Sequence, residues 1–112
     1  MKIPNAACAR IPRKKLQDYI LSESHAVGRF KAEFFRSLGY GRNDWRALQE
    51  EMFSLLENEA VETERNEYGQ KYEVRGTIQG PSGKWAEVVS AWIILDGEDF
   101  PRFITAYPGE SR

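Results

Sequence analysis

Two kinds of hydrophobic periodicity divide the chain near residue 60. Before this point apolar residues recur three and four positions apart, as in amphipathic helices, and after it they alternate with polar residues, as in half-buried strands. We therefore expect an α+β fold in which three N-terminal helices pack on a four-stranded antiparallel β-meander. Residues 1–112 fit a single domain, with an ordered core over about residues 12–108 and mobile ends at 1–10 and 109–112.

The helical half contains three apolar stripes. The first follows Pro12, which suits the first position of a helix, and ends near Ser22. The second runs over about residues 27–38, where Gly39 provides the stop signal. The third begins after Asn43 and Asp44, which are the candidate N-caps. Its apolar positions are Trp45, Leu48, Met52, Leu55 and Leu56.

The second half of the chain contains four β-prone runs separated by turn residues. These runs are residues 61–65, 71–79, 84–95 and 100–107. Short turns between sequential strands imply antiparallel pairing. In the run at 84–95, apolar residues occupy both the odd-numbered and the even-numbered positions, so the pattern leaves open which face of this strand is buried. The answer decides where Ser90 points.

The composition indicates one intracellular domain without a cofactor. Hydrophobic residues make up 41% of the chain, enough for a core, and the single Cys8 cannot form an internal disulfide. No run resembles a signal peptide or could span a bilayer, so we expect a cytoplasmic protein without membrane association, unless the chain is a module of a larger secreted protein. The one His, one Cys and scattered acids lack metal-ligand spacing, so we expect no metal and no other cofactor.

Charge is unevenly distributed along the chain, although the net charge is only −1. Residues 1–46 carry ten Lys or Arg and four Asp or Glu, a balance of +6. Residues 47–70 carry one Arg and seven Glu, a balance of −6. The basic segment could hold an anionic ligand, or the two blocks could simply be solvated helix faces.

The only histidine, His25, is the first candidate for proton chemistry near neutral pH. It precedes the second predicted helix, which carries the cations Arg29 and Lys31. On a helical wheel Lys31 falls inside the apolar arc, so its ammonium must reach the surface, pair with an acid or line an anion-binding cleft. An imidazole beside two cations suits metal-independent RNA cleavage, whereas the alternative for His25 is an ordinary helix-capping residue.

The predicted strands add polar and aromatic candidates. Arg75 lies on the polar face of its strand and is expected to bind phosphate. Ser90 and Trp92 share one face of the next strand, and Thr105 and Tyr107 share one face of the last. The predicted catalytic group is His25, Lys31, Arg75 and Ser90, and the predicted substrate-binding group is Arg29, Trp92, Thr105 and Tyr107.

Several segments resemble a small bacterial domain family of unknown function. The family signature His-Pro-x-Gly-x-x-Lys-Ala-x-Phe-Phe is similar to residues 25–35, with Ala26 in place of the proline. The resemblance continues through residues 68–72, 80–83, 90–93 and 101–107 and covers roughly residues 13–108. The layout of helices with His and Lys followed by a four-stranded sheet is similar to the barnase, EndoU, colicin and RelE-like group of ribonuclease toxins.

The resemblance and the residue chemistry together predict a metal-independent endoribonuclease of bacterial toxin type. Its substrate would be RNA, because the nucleophile is a ribose 2′-hydroxyl that attacks the adjacent phosphate. Its protein partner would be a cognate antitoxin or immunity protein. The alternative is a non-enzymatic protein-binding module, such as an antitoxin, an immunity protein or a regulatory partner, which would dock through the oppositely charged segments.

Overall fold

In the computed structural model of this chain, residues 1–21 and 29–109 are described, without the side chains of Tyr19 and of residues 29–31. The helical segments are a 3₁₀ turn at Ala6–Cys8, a π-helical segment at Lys15–Ile20, helix α1 at Arg29–Ser37, a 3₁₀ turn at Arg42–Asp44 and helix α2 at Trp45–Leu55. The strands are β1 at Ala60–Arg65, β2 at Gly69–Gln79, β3 at Trp85–Leu95 and β4 at Arg102–Pro108.

The four strands form one antiparallel sheet in the order β1-β2-β3-β4. The central pair, β2 and β3, is in continuous register from the pair Gly69 and Leu95 to the pair Gln79 and Trp85. Strand β4 pairs with the other side of β3, with one irregularity next to Ala91. Neighbouring strands are joined by short turns, as an antiparallel meander requires.

The core lies between the helical segments and one face of the sheet, which we name the inner face. Buried residues recur three or four positions apart on α2 and two positions apart on the strands, as the two periodicities require. They include Leu48, Met52, Leu55, Val74, Ile78, Val88 and Trp92. Ile3 also belongs to this core, and Arg10 pairs with Arg102 at the start of β4, so part of the segment 1–10 is packed against the rest of the fold.

The prediction of three N-terminal helices packed on the sheet is wrong. The segment after Pro12 is π-helical over Lys15–Ile20, and the two α-helices lie in the middle of the chain. In an α-helix, Leu21 would lie about 140° around the axis from Leu16. Instead, Leu21 N donates to Leu16 O at 2.8 Å, the bonding of a π-turn, and both leucines are buried. The wider winding therefore buries a leucine that the α-helical period would expose.

The turn between β2 and β3 packs closely against the end of α1. Ser82 N and Ser82 Oγ both donate to Leu38 O, at 3.1 and 2.9 Å. Gly39 has a φ of +101°, and a Cβ at this position would lie 2.5 Å from Ser82 N. A Cβ on Gly80 would lie 2.0 Å from Leu38 O. The two glycines thus permit an approach that fixes the β2–β3 hairpin relative to α1.

The buried phenol of Tyr40 makes the stability of the fold depend on pH in the alkaline range. The side chain of Tyr40 is buried, and Tyr40 Oη donates to Gln79 O at 3.2 Å. Burial, followed by the charges of Glu51 and Asp44, raises the pKa of Tyr40 from 10.0 to about 12. Because the unfolded chain ionises this phenol at the lower pH, the folded state loses stability as the pH rises from 10 to 12.

Between pH 10 and 12, the free energy of unfolding should fall less in Tyr40→Phe than in wild type. We expect the difference between the two decreases to be about 2 kcal/mol. Urea denaturation at several pH values between 10 and 12 measures the difference. Tyr68→Phe is the matched control, because Tyr68 is exposed and should leave the pH dependence unchanged. Equal pH dependence in wild type and Tyr40→Phe would contradict the prediction.

Candidate active site on the outer face of the sheet

The face of the sheet opposite the core, which we name the outer face, carries a polar cluster. Arg75 of β2 and Tyr107 of β4 lie on the two sides of Val89 in the strand register. Glu73 and Thr105 occupy the neighbouring row of the same face. We name Glu73, Arg75, Thr105 and Tyr107 the outer-face cluster.

The phenol of Tyr107 joins the two rows of this cluster. Tyr107 Oη donates a hydrogen bond to Glu73 Oε2 at 2.8 Å. Burial, and then the hydrogen bond and charge of Glu73, raise the pKa of Tyr107, whereas the charge of Arg75 lowers it. The phenol is therefore neutral at neutral pH, and its single proton is donated to Glu73.

The local sequence explains why these side chains lie together. Alternate residues of β2 are polar, which places Glu73 and Arg75 on the same face with exposed or half-buried side chains. The β3 residues between them and β4 are the small Val89 and Ala91. Val89 is fully buried although it lies on this face, so the sheet surface between Arg75 and Tyr107 is out of contact with solvent, whereas Ala91 is half-buried.

Ser90 and Trp92 lie on the inner face. Both residues are fully buried. Ser90 Oγ donates to Val74 O at 2.9 Å and accepts a hydrogen bond from Trp92 Nε1 at 2.8 Å. The polar groups of both side chains are therefore used within the core, and the sheet separates them from Arg75. This arrangement also settles which face of β3 is buried.

Three predicted site residues, His25, Arg29 and Lys31, belong to the helical half of the chain, and the structure does not describe their side chains. His25 lies outside the described residues. Arg29 and Lys31 belong to α1, but their side chains lie outside the described part of the chain. Helix α1 contacts β4, the strand that carries Thr105 and Tyr107. The structure therefore brings together Arg75, Thr105 and Tyr107, and the approach of His25, Arg29 and Lys31 to them stays a prediction.

Glu73 is a member of the cluster that the sequence pattern did not single out. Polar residues occupy alternate positions of β2, which places Glu73 on the same face as Arg75. This alternation was the one sequence signal that could have identified Glu73 as a member of the cluster. Its contact with Tyr107, 34 positions away, depends on the pairing of three strands. A sequence pattern carries no information on that pairing.

The described residues lack two other kinds of functional feature. Within residues 1–21 and 29–109, no group of three or more His, Cys, Asp or Glu is placed to hold a metal ion. Over the same residues, no helix is both long and apolar enough to cross a membrane.

Helical segments cover one face of a four-stranded antiparallel sheet, and a polar cluster lies on the other. The chain belongs to the family described as a domain of unknown function, DUF6883, whose model matches residues 2–110. This confirms that the chain belongs to a family of unknown function, whereas the particular signature at residues 25–35 and the resemblance to ribonuclease toxins stay predictions.

A solved structure shows the same fold. It is a chain of a contact-dependent growth inhibition toxin and immunity protein complex from Klebsiella pneumoniae 342. The TM-score is 0.72 with 23% identity, and the match covers 95% of this chain and 97% of that chain. At this identity the similarity shows a shared fold. The comparison with curated proteins found no match.

Proposed function

We propose that this protein is a metal-independent endoribonuclease of bacterial toxin type. The observation that carries the proposal is the outer-face cluster, in which Arg75 and Tyr107 flank the buried Val89. A guanidinium neutralises phosphate charge, and the phenol of Tyr107 can donate to a phosphate oxygen once its single O–H turns away from Glu73. Such groups accelerate phosphate chemistry when they are held in place before the substrate binds, and the strand pairing that fixes the backbone of Arg75 and Tyr107 supports this proposal.

The proposed reaction needs two proton transfers. A base removes the proton of a ribose 2′-hydroxyl, whose oxygen attacks the adjacent phosphorus. The bond from phosphorus to the 5′-oxygen breaks, and an acid protonates that oxygen. His25 performs one of these transfers, because an imidazole titrates near neutral pH. Arg75 and Lys31 stabilise the negative charge on the phosphate, and Thr105 and Tyr107 contact the substrate.

Arg29 is assigned a contact with the RNA backbone. It lies in the first turn of α1, two residues before Lys31, and α1 contacts β4. Arginine and lysine side chains supply the sequence-independent part of nucleic-acid affinity. Ser90 and Trp92 have no substrate contact in this proposal, since both are buried on the inner face.

The structural neighbour supports a role in a toxin and immunity system. That chain comes from a complex of a growth inhibition toxin with its immunity protein, and the similarity covers nearly all of both chains. A nuclease toxin must be neutralised in the cell that makes it. We therefore propose a cognate immunity or antitoxin protein as the partner of this chain.

The second candidate function is that of the immunity protein or another protein-binding partner. The solved complex contains both kinds of protein, which is the observation that favours it. Strand β1 lies at the edge of the sheet and exposes Glu62 and Glu64, an acidic surface for a basic partner. Expression separates the two functions, because a toxin should arrest growth of cells that lack its partner and an immunity protein should not.

The direct test is RNA cleavage by the purified protein in the presence of EDTA. We expect wild type to cleave a single-stranded RNA oligonucleotide and to leave a cyclic 2′,3′-phosphate, which mass spectrometry detects. The same sequence made as DNA or as 2′-O-methyl RNA should stay intact, because it lacks the nucleophile. Cleavage of those substrates, or loss of all cleavage in EDTA, would contradict the mechanism.

A further inference from the structure

We propose that Trp85 is a stacking platform for an unpaired RNA base, at a subsite beyond the outer-face cluster. The inference rests on the proposed function and adds a substrate class, which is single-stranded RNA. Its basis is the position of an exposed indole on the same face as Arg75. Trp85 is 65% exposed, although tryptophan is highly buried on average.

The strand geometry connects Trp85 to the outer-face cluster. Val88 and Ser90 of β3 point into the core, so Trp85 and Val89 share the outer face. Four residues of antiparallel strand separate Trp85 from Val89, which corresponds to about 14 Å along β3. A short stretch of extended single-stranded RNA can span this distance from a phosphate held between Arg75 and Tyr107.

The backbone that carries Trp85 is held in place by both helices. Trp85 lies opposite Gln79 in the sheet, and Gln79 N donates to Glu51 Oε1 of α2 at 3.3 Å. Gln79 Nε2 donates to Gly83 O at 3.1 Å, and Ser82 of the same turn is bonded to the end of α1. A ring on a rigid hairpin loses little conformational freedom when a base stacks on it.

The surroundings of the indole favour a nucleic acid over an apolar partner. The polar residues around it are exposed: Gln79 on the paired strand, Lys84 before it, and Glu87 on the same face of β3. The positive charge of Lys84, which is adjacent to Trp85 in the sequence, attracts backbone phosphate, and the indole offers a π-face to any base. In a duplex the bases already stack on each other, so the subsite requires an unpaired base.

The test compares steady-state cleavage of a single-stranded RNA oligonucleotide by three variants. Trp85→Ala should raise KM about 10-fold with kcat within about twofold of wild type, because stacking is lost and the outer-face cluster remains. Trp85→Phe retains a ring and should recover most of the affinity. Tyr68→Ala removes an aromatic side chain of equal exposure, 64%, from the turn before β2 at the other end of the sheet, and should leave KM unchanged.

The possible outcomes separate this subsite from the proposed function. Equal KM values for wild type and Trp85→Ala, with RNA cleavage intact, would overturn the subsite and leave the nuclease proposal standing. Equal rises of KM in Trp85→Ala and Tyr68→Ala would also overturn it, as would a Trp85→Ala protein that loses only the binding of an immunity protein. Absence of RNA cleavage by wild type would overturn both proposals.

Discussion

Replacing Arg75 with alanine is expected to lower the rate of RNA cleavage by about 10²–10³-fold and to change the free energy of unfolding by less than about 0.5 kcal/mol. The guanidinium is exposed on the outer face, across Val89 from Tyr107, where phosphate charge would grow during the reaction. Its removal therefore affects the transition state. The fold keeps the hydrogen bond from Asn58 Nδ2 to Arg75 O, because alanine has the same backbone.

Two further variants test the specificity of this effect. Arg46→Ala is the matched control, since Arg46 is exposed on α2, over the Trp45 ring at 4.9 Å, and should keep the cleavage rate within about twofold. Arg75→Lys should recover part of the rate, because an ammonium carries the charge without the paired donors of a guanidinium. An Arg75→Ala protein as fast as wild type would exclude contact between Arg75 and the reacting phosphate.

Replacing Trp92 with alanine is expected to lower the free energy of unfolding by about 3–5 kcal/mol. The indole is fully buried, and its ring packs edge-to-face on Phe103 with centroids 5.3 Å apart. The substitution leaves a cavity and also removes the donor to Ser90 Oγ. A domain of this size has a total stability of about 5–15 kcal/mol, so the loss should be visible as a large shift of the urea midpoint.

Ser90→Ala separates the hydrogen bond from the packing of Trp92. We expect a loss of about 1–3 kcal/mol, because Trp92 Nε1 keeps its burial and loses its acceptor. Adding Trp92→Phe should cost less than the sum of the single changes, since phenylalanine has no donor to leave unpaired. The folded Ser90→Ala protein should cleave RNA at nearly the wild-type rate. A large loss of rate with intact folding would instead restore Ser90 to the active site.

The strands and α2 could be predicted from sequence because their signals are local. The alternation of polar and apolar residues in β2 and the spacing of Leu48, Met52 and Leu55 in α2 are properties of each element by itself. The segment after Pro12 could not be predicted in this way. Its winding depends on burying both Leu16 and Leu21, which requires the sheet and α2 as neighbours.

Only part of the candidate site could be predicted from the local pattern of each strand. Strand parity predicted that Arg75 lies on the polar face of β2 and that Thr105 and Tyr107 share one face of β4, but not that the two faces are the same. Ser90 was grouped with them although it lies on the opposite face. The reason is that both parities of β3 are apolar, so local pattern could not distinguish its buried face from its outer face.

The sequence by itself determined the order of the elements in the second half of the chain, the turns between the strands and the residue types available for phosphate chemistry. The tertiary structure alone decided which of those residues meet. Strand pairing buries Ser90 beneath Trp92 and brings Glu73 to Tyr107 across 34 positions of sequence. Such contacts arise from the register of separate strands, and register depends on the whole core rather than on any one segment.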